Sequence, residues 1–104
     1  MREIALIGYA GDIGIQVYTD HKPDHFHAIK EDCYDVRIVI PNHLPNTIAD
    51  LKVDSYKWMK SPISNKDKKI ILRWMRSPDP DTNLLFYFLV KRTWKMMNPA
   101  DLQR

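Results

Sequence analysis

Three of the four histidines and two carboxylates fall within eight residues, Asp20-His21-Lys22-Pro23-Asp24-His25-Phe26-His27. In an extended segment successive side chains alternate between faces, so with Phe26 and Ala28 turned into a core, His25 and His27 point together to the other side. Three kinds of chemistry suit such a pair. Neutral imidazole is a common ligand for zinc and related divalent ions, and His25 and His27 with His21 or Asp20 would fill three positions and leave one for water. Without a metal, His25 and His27 would serve as acid and base, with Arg37 or Lys22 stabilising a developing oxyanion or phosphorane and Tyr18 or His21 orienting the rings, as RNA cleavage requires. The third is structural, with the imidazoles and carboxylates satisfying turn amides and one another.

The elements that must position these groups follow from the periodicity of the chain. Ile13, Ile15 and Val17 alternate with Gly14, Gln16 and Tyr18, and Tyr34, Val36, Ile38 and Ile40 alternate with Asp35, Arg37 and Val39, the pattern of half-buried strands. Ala49, Leu51 and Val53 repeat it, Met1 to Ala10 is apolar enough for another strand, and Gly8, Gly11 and Gly14 suit a tight hairpin between the first two. One polar sheet face would then gather Tyr18, His25, His27 and Arg37. After Pro62 the period changes. Ser64 suits a helix N-cap with Asp67 in the first turn, and Ile70, Ile71, Trp74 and Met75 form one apolar side before Ser77 and Pro78. Asp81 or Thr82 would cap a second helix running through Leu84, Leu85, Phe88, Leu89 and Trp94 to Met97. Strands over about 1–60 and helices over about 65–76 and 82–97 predict a single α+β domain over 1–104, an antiparallel sheet of about four strands with two helices packed on one face.

Composition narrows the class. The 104 residues are 44% hydrophobic and 11% aromatic, enough for one core and too few for two. The longest apolar run, Leu84 to Val90, is far short of the roughly 20 residues that span a bilayer, and no secretory signal pattern opens the chain, so a cytoplasmic protein without membrane contact is expected. A single cysteine, Cys33, excludes an internal disulfide and a thiolate-rich zinc site; set beside Glu31 and Asp32, it reads as a hairpin residue. Up to Ile63 there are seven basic and nine acidic residues, and beyond it nine and four, so the halves carry −2 and +5. Lys66, Lys68, Lys69, Arg73 and Arg76 make RNA a candidate partner of the helices, although such residues also form ordinary solvated helix faces. The nearly all-apolar Leu84 to Val90 segment needs cover from the first helix or from a second copy, so a homodimer through Leu84 to Trp94 is a further expectation.

The segment Asp20-His21-Lys22-Pro23-Asp24-His25-Phe26-His27-Ala28 resembles the Asp/Glu-His-x-Pro-Pro-His-Phe/Val-His-Val signature of a widespread family of small bacterial domains of unknown function. His21, Pro23, His25, Phe26 and His27 match it one by one, and Asp24 stands where the second proline is usual. The resemblance implies an interaction component of a toxin–antitoxin-like gene pair, with a small protein partner. It does not choose between metal ligation and acid–base work for the histidines.

Overall fold

The computed structural model describes residues 3–99; Met1, Arg2 and residues 100–104 of the expected domain lie outside them. Five antiparallel strands precede two helices: β1 (Ile4–Ala10), β2 (Ile13–Tyr18), β3 (His25–Lys30), β4 (Tyr34–Val39), β5 (Val53–Met59), α1 (Asn65–Met75) and α2 (Phe86–Met97). The strands lie side by side in chain order. The α+β architecture is as the periodicity predicts, with one strand more than the four expected.

Turn chemistry sets the registers. Gly11 takes a φ of +64° at the first central position of the two-residue β1–β2 turn, the arrangement of a type II′ hairpin. The β3–β4 turn uses Glu31, Asp32 and Cys33, with Asp32 at a φ of +62° and the Cys33 amide donating to the Lys30 carbonyl at 3.0 Å. Ile15, Ala28 and Val36 therefore stand in one cross-strand row, with Phe26 beside Ile38. That face meets the helices through Ile71, Trp74 and Met75 of α1 and Tyr87 and Val90 of α2. Burying Phe26 alone contributes about 1.5–3 kcal/mol.

Two element boundaries depart from the periodicity. The alternation over Ala49 to Val53 does not start a strand: Asp50 Oδ2 accepts the backbone amides of Asn46 and Thr47 at 2.8 and 3.1 Å and holds a 3₁₀ turn over Ile48–Asp50, so pairing with β4 begins at Val53. Those two amides also hold the Asp50 carboxyl below the usual carboxylate range. The second helix starts at Phe86, neither Asp81 nor Thr82 capping it. Asp79 Oδ2 accepts the Thr82 amide and hydroxyl at 3.0 and 2.8 Å, and a bridge between Pro78 and Leu85 closes a loop ahead of the helix. Ser64 does cap α1, accepting the Asp67 amide at 3.1 Å.

The helix-covered side also contains a buried polar cluster. Asp67 accepts the Tyr34 hydroxyl at 2.9 Å and the Lys30 ammonium at 3.3 and 3.4 Å, tying α1 to β3 and β4. Burial first, and then the Asp67 carboxylate, push the Tyr34 phenol well above its ordinary pKa. In α2, Tyr87, Val90 and Trp94 are buried, Phe86 stacks on Trp74 of α1 at 4.5 Å, and Phe88 and Met96 stay exposed, as does Leu84 just ahead of the helix. No helix among the described residues is long and apolar enough to cross a membrane.

Candidate metal centre

The register Gln16–His27–Arg37 across β2, β3 and β4 puts these residues on the sheet face opposite Phe26 and Ala28. This face is not the half-exposed surface that alternation predicts. His27 is 0% and His25 2% exposed, and Asp35 and Tyr18 are 4% exposed. The Tyr18 ring stacks on His27 at 4.0 Å with the Lys57 ammonium 5.9 Å from its centroid, and the Trp94 ring lies 5.0 Å from that of His25. The open face is thus roofed at its centre by its own side chains and by the end of α2.

The 19–24 loop returns a carboxylate to this spot. The side-chain oxygen of Asn98, just past α2, accepts the Asp20 amide at 2.8 Å, and its Nδ2 donates to the Tyr18 carbonyl at 3.0 Å, which fixes the start of the loop. Asp20 Oδ2 then lies 3.3 Å from His25 Nε2 and 3.5 Å from Arg37 Nη2. A surface hollow of about 490 Å³, lined by Lys22, Pro23, Asp24, Val39, Ile40 and Asn42, runs along the same loop.

The hydrogen bonds of the two rings determine what their inner nitrogens offer. His25 Nδ1 is 2.7 Å from the Pro23 carbonyl, which can only accept, so Nδ1 carries the proton. His27 Nδ1 is 2.8 Å from Asp35 Oδ1, a carboxylate, with the same consequence. In each neutral ring Nε2 is then a bare lone pair. Both Nε2 atoms are buried and make no hydrogen bond among the described residues. One ligand atom each from Asp20, His25 and His27 lies within 4.8 Å of the other two. Leaving a buried polar atom unsatisfied costs about 1–3 kcal/mol, and here two belong to neighbouring rings of this group. Outer acceptors that fix the tautomer while Nε2 faces inward are the arrangement found around metal-bound histidines.

The structure thus brings together Asp20, His25, His27 and Arg37, with Tyr18 stacked alongside and its hydroxyl 3.1 Å from Gln16 Oε1. His21 does not join them. It is exposed, and only its backbone amide turns inward, donating to Asp20 Oδ1 at 2.8 Å. His43 is also exposed, in the segment after β4. Sequence reasoning passed over Asp35, Trp94 and Asn98. The three-residue turn at Glu31–Cys33 was enough to place Asp35 one diagonal from His27, but nothing local signals that residues near 94–98 would close over position 20. No family model, curated protein or solved structure matches the chain.

Proposed function

We propose that this protein is a divalent transition-metal-binding domain, holding one zinc-class ion through Asp20, His25 and His27. The observation that carries the reading is the convergence of two bare, buried Nε2 atoms and a carboxylate, with each Nδ1 proton engaged by an oxygen. Two imidazoles and a carboxylate leave a tetrahedral ion one position for water or another ligand, the ligand count of hydrolytic zinc sites. Asp35 and the Pro23 carbonyl act as outer partners that hold the rings in the ligating tautomer. The metal-free alternative, a ribonuclease with His25 and His27 as acid and base, has less support, because both ring nitrogens are shielded from a polymeric substrate in this conformation. Purification without a polyhistidine tag followed by elemental analysis tests the metal reading. About one equivalent of metal is expected in the native protein and a loss in His25→Gln; a blank at stoichiometric sensitivity, with none regained on adding zinc, would remove it.

A second reading, an interaction component of a toxin–antitoxin-like pair, rests on the resemblance of the Asp20–Ala28 motif and on exposed apolar side chains. Leu84 and Phe88 of the α2 region are 39% and 47% exposed, a surface for a small protein partner or a second copy. RNA contact through α1 would draw on Lys66, Lys69 and Arg73, since Arg76 Nη1 is engaged by the Pro45 carbonyl and Asn46 Oδ1 at 2.8 and 3.0 Å.

A further inference from the structure

Arg37 stands directly across from His27 in the β3–β4 register, so its side chain leaves the sheet on the side of the proposed ligands. Its Nη2 is 3.5 Å from Asp20 Oδ2. Its Nε is buried and makes no hydrogen bond among the described residues. Nε and Nη2 form one edge of the guanidinium, the edge that pairs side-on with two oxygens of an oxyanion. The Nη2 end of that edge meets Asp20 in a single long contact, and no described residue accepts from the Nε end. The side chain is 31% exposed, so the same group connects the buried centre with solvent.

Charge points the same way. Among the described residues the Arg37 guanidinium stands 3.5 Å from Asp20, and the Lys57 ammonium lies over the Tyr18 ring. A divalent ion on Asp20, His25 and His27 would add two positive charges where the ring nitrogens are already removed from water. Uncompensated charge in such a place is costly, and an anion in the fourth metal position offsets it. Once Asp20 turns to the metal, both N–H groups of the Arg37 edge are open to that anion.

We infer that the metal-loaded centre is an oxyanion site of the phosphate class, one oxygen of the ligand on the ion and two on the Nε and Nη2 edge of Arg37. The inference rests on the metal-binding reading and specifies what fills the fourth position. Arg37 is a binding residue in this scheme and not a metal ligand.

Cobalt(II) replaces zinc with a visible spectrum that reports its coordination. Fully Co(II)-loaded protein is titrated with inorganic phosphate, and in parallel with acetate and chloride, for the wild type, Arg37→Met and Arg37→Lys. Phosphate is expected to change the Co(II) bands at submillimolar concentration, at least tenfold below acetate or chloride. Arg37→Met should raise the required phosphate concentration tenfold or more, and Arg37→Lys, which keeps a charge and loses the two-pronged edge, should fall between. A Co(II) spectrum that phosphate leaves unchanged, or changes equally in all three proteins, overturns the oxyanion site and leaves the metal reading standing. Failure of the wild type to take up Co(II) at all overturns both.

Discussion

Two buried polar clusters sit on opposite faces of the same sheet, and they differ in one respect. On the helix side, the Asp67 carboxylate accepts the Tyr34 hydroxyl and the Lys30 ammonium, while its own amide donates to Ser64 Oγ. On the other side, His25 and His27 each have Nδ1 satisfied, and neither Nε2 makes a hydrogen bond among the described residues, that of His25 lying 3.3 Å from the Asp20 carboxylate. A cluster whose hydrogen-bonding capacity is filled from within joins elements and needs nothing further. One that buries two ring nitrogens with no hydrogen bond among the described residues has capacity left for a ligand. The first is a structural tie between α1 and the sheet, and the second fits the metal centre proposed above.

The comparison breaks most visibly in the ligands themselves. His27→Gln and His25→Gln should weaken zinc binding by more than the about 10- to 100-fold that loss of an outer partner causes. The accompanying stabilisation, about 2.7 kcal/mol at a zinc concentration one hundred times Kd, should vanish with it in thermal melts. On the opposite face, Asp67→Ala should lower unfolding stability by about 2–3 kcal/mol, because it orphans the Tyr34 hydroxyl; urea denaturation with and without zinc should show that loss unchanged by the metal. Asp35→Asn sharpens the contrast by altering only the outer partner of His27. It should reduce zinc affinity by about 10- to 100-fold, read by calorimetry, while the fold persists.

Tyr34→Phe should have the smallest effect, about 1 kcal/mol at neutral pH, and it carries a pH signature. Burial and Asp67 raise the Tyr34 pKa in the folded chain, so the native state keeps its proton more tightly than the unfolded state. The contribution is complete below the ordinary tyrosine value of about 10 and is lost as pH rises above it, where the unfolded phenol ionises and the native one does not. The alkaline limb of the stability profile should be shallower in Tyr34→Phe than in the wild type.

Much of the architecture was legible because it is written in local period. Alternation marked β2 and β4, and Ser64 with Asp67 marked the start of α1. The shared face of His25 and His27 followed from spacing alone once Phe26 was assigned to the core. What misled was alternation without pairing, over Ala49 to Val53, where the Asp50 side chain captures two amides and curls the chain. The late start of α2 has a similar origin, in a side chain of Asp79 that outcompetes helical hydrogen bonding at Thr82. The burial of the histidine face was not legible. It depends on contacts such as Asn98 with Asp20 and Trp94 with His25, which join residues far apart in the chain. Five strands with exposed edges shelter the three in the middle, so β3 has four consecutive buried residues where alternation suggests two.

The central claim is that two specific nitrogens are lone pairs awaiting a metal, and nitrogen-15 NMR of the imidazole rings, recorded before and after one equivalent of zinc, tests it most directly. The account predicts that His25 and His27 carry their protons on Nδ1 in the metal-free protein. On zinc addition their Nε2 resonances shift, while those of His21 and His43 stay in place. Protons found on Nε2 of both rings, or four histidines that respond alike or not at all, would contradict it.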